Sequence, residues 1–251
     1  MKALITGASS GIGRDIARCL SEKGYELVLT ARNEEKLRNL QKTLKTKSEI
    51  IVLDLAEEKA PYELYEKCKD KNIDFLVNNA GYGMFGEFDK TDLEDEISLI
   101  NVNIKALHIL TKLFLRDFKK RNRGTILNVA SSAGFMTGPL MSSYYASKNY
   151  VMRLSMAVYE ELRRSGSKVR ISVFCPGPVD TNFNRRAGVS FSVKSISSEY
   201  AAKYAVEKCL AGKTLIIPSV QMKLGIFASR FVPQKLLSAI AYNIQHSKKK
   251  R

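Results

Sequence analysis

The sequence predicts an α/β protein, with a doubly wound parallel sheet of about seven strands and helices on both faces. Three observations carry this expectation. Short β-rich runs recur at residues 3–6, 26–30, 50–53, 73–77, 125–129, 170–174 and 214–217. The longer segments between them place apolar residues at helical spacing. The runs are also nearly continuously apolar, as in Ile50-Ile51-Val52-Leu53, which fits strands buried on both sides. Strands separated by helices cannot pair as hairpins, because each connection must cross the sheet. A parallel, right-handed winding is the economical arrangement.

Taken in order, Ile12, Ile16 and Leu20 after the first run lie on one face of a helix. Between the fourth and fifth runs, Leu93, Ile97, Ile100, Ile104 and Leu107 form the apolar stripe of a long helix. Val151, Leu154, Val158 and Leu162 repeat the signature before the sixth run. Beyond the seventh run, residues 219–246 hold Phe227 and Phe231 ahead of Pro233. Leu236, Leu237, Ile240, Ala241 and Ile244 then make a helical apolar face, with Lys223, Arg230 and Lys235 as polar positions. No linker rich in Pro, Gly or Ser divides the chain. Residues 1–251 therefore read as a single domain, with 219–251 as a C-terminal helical extension and basic tail. That extension is expected to cover the substrate cleft or a partner subunit; peripheral contact with anionic lipid is the less favoured reading.

The chain has 41 Lys and Arg against 25 Asp and Glu, a net charge of +16. Such an excess raises nucleic acid, anionic lipid or a phosphorylated ligand as partners. Apart from the closing Lys248-Lys249-Lys250-Arg251 it is spread along the sequence. No zinc-finger or RNA-recognition pattern accompanies it, so no nucleic-acid partner is expected. Cys19, Cys68, Cys175 and Cys209 are far apart, and His108 and His246 are the only histidines; no metal site is expected. The sequence enters a β-type run directly after Met1-Lys2, which leaves no room for a signal peptide. No stretch reads as long and apolar enough to span a bilayer. A reducing cytoplasm is the expected location.

The first run leads into Thr6-Gly7-Ala8-Ser9-Ser10-Gly11-Ile12-Gly13 and then a helix. Glycines at such a junction let the backbone approach a pyrophosphate, whose charge the helix N-terminus favours. The spacing is G-xxx-G-x-G rather than the commoner G-x-G-x-x-G. Together with the alternation of strands and helices, this makes the expected fold Rossmann-type.

That motif resembles the cofactor motif of the short-chain dehydrogenases/reductases. Asn78-Asn79-Ala80-Gly81 after the fourth run resembles their second motif. The likeness continues through Tyr144-xxx-Lys148 and Cys175-Pro176-Gly177-Pro178-Val179-Asp180-Thr181, and covers about residues 1–217. The resemblance implies a dinucleotide held by Gly7, Ser9, Ser10, Gly11, Ile12, Gly13, Asn79, Ala80, Gly81, Pro176 and Gly177. By it, Asp54 and Leu55 flank the adenine, Asn79 packs on the adenosine ribose, and Val179 and Thr181 contact the carboxamide or phosphate end. NAD-specific sites place a carboxylate at the end of the second strand; here the chain reads Thr30-Ala31-Arg32-Asn33. Arg32 can offer a planar fork to a 2′-phosphate, with Arg14 as a helper, so NADP(H) is the expected cofactor.

Tyr144 and Lys148 stack on one helix face. A free phenol titrates near pH 10, and a neighbouring ammonium, aided by an oxidised nicotinamide, is expected to favour its phenolate. Tyr145 lies three residues from Lys148, but the family spacing selects Tyr144, leaving Tyr145 as packing or substrate wall. The resemblance also assigns Ser131, thirteen residues before Tyr144, to polarise the substrate carbonyl. Val102-Asn103-Ile104-Lys105 resembles the segment whose asparagine positions a water in a proton relay, although Ala106 replaces the usual glycine and Asn101 competes for the role. The implied activity is interconversion of a carbonyl and a secondary alcohol on a small molecule, by a homodimer or homotetramer; the apolar C-terminal extension suggests that the carbonyl is lipophilic. The rival reading is a non-catalytic NADP-binding sensor on the same fold.

Overall fold

The computed structural model describes residues 1–181 and 195–246. Seven parallel strands form the central sheet: β1 (Lys2–Thr6), β2 (Glu26–Ala31), β3 (Ser48–Val52), β4 (Phe75–Asn78), β5 (Thr125–Val129), β6 (Arg170–Phe174) and, after a separate short pair, β9 (Leu215–Ile216). Their spatial order is β3-β2-β1-β4-β5-β6-β9, so all seven runs read from the sequence pair as expected. The short parallel pair is β7 (Val179–Asp180) with β8 (Ile196–Ser197). The order reverses between β1 and β4, and a crevice opens beyond the carboxyl ends of strands at such a point.

Along the central strands nearly every residue is buried, and successive side chains alternate between two layers. Ala3, Ile5, Leu27, Leu29, Phe75, Val77 and Leu127 face one layer, packed with α1 (Gly11–Glu22), α2 (Glu34–Gln41) and α7 (Ser198–Leu210). Leu4, Val28, Leu76 and Ile126 face the other, against α3 (Ala60–Cys68), α5 (Leu107–Lys120) and α6 (Ser142–Arg164). With both faces covered, a one-residue slip in a central strand such as β1 or β2 would largely exchange one apolar layer for the other. Register is therefore left to side-chain fit and to the polar residues at the strand ends.

Two expectations are corrected here. Helix α4 (Leu93–Ile100) continues through a widened π-helical segment, Asn101–Ala106, into α5. Leu93 is 69% exposed, and Ile97 and Ile100 are exposed too, while Glu96, Leu99, Val102, Asn103 and Ala106 are buried. The supposed core stripe thus faces outward over α4. The helix is apolar on two sides, and the wide turn shifts its phase so that spacing alone selects the wrong side. The second correction concerns membrane spans. The helix Leu93–Lys120 is, by length and composition, long and apolar enough to cross a bilayer, yet half of its apolar window is buried inside the protein. Its apolar residues Leu107, Leu110, Phe114 and Phe118 serve the core.

Phe114 is closed in by Tyr65 and Phe118, with ring centroids at 5.3 and 6.0 Å. Replacing it with alanine is expected to lower stability by about 3–5 kcal/mol in urea unfolding, as for other large-to-small core changes.

Candidate active site

A cavity of about 610 Å³ runs across the carboxyl edge of the sheet, from the end of β2 past the β1 and β4 loops to α6. At its nucleotide end, Gly7 (φ 66°) and Gly11 (φ 53°) adopt left-handed backbone, which side chains with a Cβ rarely tolerate. A Cβ on Gly7 would come within 2.8 Å of Ala80 Cα, and one on Gly13 within 2.3 Å of Asn79 Nδ2. Gly7, Ser9, Ser10, Gly11 and Ile12 line the cavity; Gly13 instead lies against Asn79 and the Gly7 carbonyl. The Ser10 side chain makes no cap hydrogen bond to α1, and the first turn of that helix carries no acid. Its leading N–H groups and dipole are therefore suited to an anion.

Thr6 organises this end and was not singled out from the sequence. Its Oγ1 accepts from Asn79 N and Ala80 N, both at 3.0 Å, and donates to Val77 O. Asn79 Nδ2 donates to Thr6 O (3.0 Å) and Gly7 O (3.1 Å). Asn79, Ala80 and Gly81 form cavity wall, but the Asn79 amide is also a clip between two loops. A polar residue closing a buried strand was the available signal.

At the opposite rim, Arg32, Asp54 and Leu55 line the cavity. Arg32 Nη1 pairs with Asp54 Oδ2 at 3.3 Å, with about half of the arginine side chain exposed. Arg14, expected to assist, is held away: it makes a two-pronged contact with Asp15 at 2.8 and 2.9 Å. Lys36 contributes to the wall in its place. Asn33 caps α2 by accepting Lys36 N at 2.8 Å, which sets Lys36 one turn into a helix beginning at the cavity edge. A cap followed three residues later by a cation was the sequence signal.

At the chemical end, Ser131, Tyr144, Tyr145 and Lys148 share one wall with Pro176, Gly177, Val179 and Thr181. Tyr144 is buried and hydrogen-bonded to Ser131. Burial pushes its phenol up to about 12, against a lowering by Ser131. Burial also brings the Lys148 ammonium down to about 8. The Lys148 Nζ donates to Val129 O at 3.0 Å and lies 5.9 Å from the Tyr144 ring centre. In the protein alone, burial therefore acts on the two groups in opposite senses, raising the phenol and lowering the ammonium. Desolvation disfavours the charged form of each, holding the phenol protonated.

Asn103 is fully buried behind this wall. Its Nδ2 donates to Tyr82 O (2.9 Å) and Ser147 Oγ (3.0 Å), and its Oδ1 accepts Tyr82 N (3.1 Å). The side chain, expected to position a water, fastens the Gly81–Tyr82 loop over Lys148. A Cβ on Gly81 would meet Asn103 Oδ1 at 2.9 Å and Lys148 Nζ at 3.2 Å. Asn101 points elsewhere, donating to Ala56 O. Ser147 Oγ in turn donates to Tyr144 O at 2.7 Å. Tyr145 OH accepts from Gln245 Nε2 at 2.5 Å, and Ile244 completes the wall. The C-terminal helix α9 (Gln234–His246) therefore borders the cavity. Tyr82, Met141 and Ile244 are walls that no motif marked.

Between pH 8 and 10.5 the unfolded chain holds a proton at Lys148 that the folded chain has released. Wild-type stability is therefore expected to rise with pH across that window, relative to Lys148→Met, by about 3 kcal/mol. Parallel urea titrations of both proteins from pH 7 to 10 check it, and a constant difference would contradict the burial argument.

The family model for short chain dehydrogenase matches residues 1–189. An uncharacterized oxidoreductase of Staphylococcus saprophyticus is 35% identical over 185 residues, 71% of this chain and 78% of that one. The very-long-chain 3-oxoacyl-CoA reductase of Mycosarcoma maydis is 33% identical over 178 residues, 67% of this chain; the match spans about half of that longer protein, 51%. Among solved structures, a short-chain dehydrogenase from Sphingobium yanoikuyae in complex with NADPH has a TM-score of 0.83 at 28% identity, covering 94% of both chains. The matched stretch runs from the glycine turn through the wall that carries Tyr144 and Lys148, and on that basis the chain belongs to the short-chain dehydrogenase family.

Proposed function

We propose that the protein is an NADP(H)-dependent oxidoreductase that interconverts a carbonyl and a secondary alcohol on a lipophilic substrate. The observation that carries this reading is the meeting of Ser131, Tyr144 and Lys148 in one wall of a cavity whose far end is a glycine turn at a helix N-terminus. A dinucleotide fits the residues present: the backbone of Gly7 and Gly11 is open where a Cβ would obstruct, and α1 offers free N–H groups. Ser9, Ser10, Gly11 and Ile12 would hold its pyrophosphate, Asp54 and Leu55 its adenine, and Pro176, Gly177, Val179 and Thr181 its nicotinamide end. When bound, the nicotinamide supplies or accepts the hydride.

The chain's own groups handle the proton. Tyr144, kept neutral by burial, donates to the substrate oxygen during reduction, and Ser131 orients that oxygen beside it. Lys148 holds the ribose hydroxyls, and its charge, once a partner compensates its burial, eases proton release from the phenol. Asn103 acts through Tyr82 and Ser147, keeping the loop over Lys148 and the Tyr144 backbone in place.

Preference for the 2′-phosphate is supported by Arg32 and Lys36 on the cavity rim. The exposed Arg32–Asp54 pair is weak enough to open for an anion. Tyr82, Met141, Tyr145 and Ile244 offer an apolar surface to the substrate. The outward stripe of Leu93, Ile97 and Ile100 supports self-association through α4.

Tyr144→Phe is expected to lower kcat by about 10²–10⁴-fold, the range of general acid catalysis, with NADPH binding retained in a fluorescence titration. Unchanged turnover would sink the assignment. Arg32→Ala with Lys36→Ala should raise KM for NADPH by roughly tenfold per lost charge-assisted contact while leaving KM for NADH nearly unaltered. Equal effects on both cofactors would remove the case for NADP(H).

A further inference from the structure

The C-terminal helices carry apolar surface that the cavity does not use. Helix α8 (Val220–Ser229) is anchored on one side by buried Ile226, a member of the core cluster that includes Val151, Val173 and Ile217, and by Met222, which abuts Gly177. Val220, Leu224 and Phe227 recur at i, i+4 and i+7 on the opposite side, and Phe231 follows with its ring 5.4 Å from Phe227. All four are exposed, Leu224 by 64% and Phe231 by 75%. Helix α9 presents a second stripe, Leu236, Ile240 and Ile244 at i, i+4 and i+8, also exposed. It is held to the body through Ser238 on Thr137 (2.7 Å) and Gln245 on Tyr145.

Within this C-terminal segment the charged residues have a single sign. From residue 219 to the end the sequence has Lys223, Arg230, Lys235, Lys248, Lys249, Lys250 and Arg251, and no Asp or Glu. Lys223 and Arg230 flank the α8 stripe at helical spacing. Soluble surfaces intersperse both signs and keep large apolar side chains scattered. Two copies meeting through this segment would bring its like charges together with no acid of its own to offset them, which opposes self-association. Apolar stripes on a segment whose own charged residues are all cationic suit one surface well, an acyl layer beneath anionic headgroups.

We propose that the pair α8–α9 docks the protein on an anionic lipid surface, with Val220, Leu224, Phe227, Phe231, Leu236 and Ile240 entering the acyl boundary and the cations meeting headgroups. Ile244 belongs both to the outer stripe and to the cavity wall, so docking sets the cavity mouth beside the lipid. The consequence that substrate enters from the lipid rests on the lipophilic reading above; docking itself does not.

The test floats the full chain, without substrate, with vesicles of phosphatidylcholine alone or with roughly one third phosphatidylglycerol. The expected result is binding to the anionic vesicles only, released in about 0.5 M salt. Phe227→Ser, Phe231→Ser and Ile240→Ser combined should weaken binding by at least about tenfold. Lys223→Gln, Arg230→Gln and Lys235→Gln combined should weaken it by roughly a hundredfold, at about fivefold per cation. Both variants should keep the wild-type circular dichroism and wild-type turnover of a small water-soluble ketone, since these positions lie outside the cavity. The proposal is overturned by failure to bind anionic vesicles at low salt, by equal binding to phosphatidylcholine, or by undiminished binding of the serine variant. It is likewise overturned if the serine variant sediments as a smaller species than wild type, which would assign the surface to a second copy.

Discussion

The crevice beyond the sheet depends on how the loops after β1 and β4 are tied to each other at the reversal of strand order. Thr6 accepts two successive N–H groups from the β4 loop, and Asn79 returns two bonds to the β1 loop. Each bond contributes about 1 kcal/mol net, but a loss of the hydroxyl would strand two backbone donors at larger cost. The clip also accounts for the glycines. Gly7 and Gly13 are crowded by Ala80 and Asn79 of the neighbouring loop, so a side chain there would part the loops before any ligand arrived. Beneath them, Asn78 donates to Thr111 and Asn128, and Asn128 to Ser155. This buried set ties β4 and β5 to α5 and α6, and so ties the nucleotide end to the helix that carries Tyr144.

Burial sets the electrostatics at the other end, and it acts in opposite senses on the two groups. Desolvation disfavours whichever form is charged, raising the phenol and lowering the ammonium. The pocket thereby stores an acid in its neutral form and a cation close to losing its charge. A negatively charged ligand drawn in beside Lys148 would restore the ammonium, so the state of the pair is coupled to what the cavity holds.

The strands, the glycine turn and the Tyr144–Lys148 pair were readable because each follows from local spacing. A period of two or of 3.6, or a glycine demanded by a turn, is written in neighbouring residues. Arg14 and Lys36 were not separable this way. Both are cations near the turn, and only the packing of Asp15 against Arg14, and the Asn33 cap that orients α2, tell them apart. The lowered ammonium was equally out of reach, since its burial comes from tertiary packing that local spacing does not record, and it outweighs the opposing, raising effect of Cys175. Leu93, Ile97 and Ile100 misled because the chain there has two apolar sides and spacing cannot say which meets the core.

The widened turn at Asn101–Ala106 has a consequence for how this chain can vary. Successive residues of an α-helix are rotated by about 100°, so removing or adding one residue in that turn would swing everything on one side of it by that angle. Downstream, Phe114 and Phe118 would leave the core; upstream, Glu96 would lose its bonds to Thr91 and Ser143. The loop on Asn103 and the packing of α5 therefore share a single rotational frame. Substitutions can accumulate on either side of the turn, but a change of length within it must be offset by another inside the same few residues.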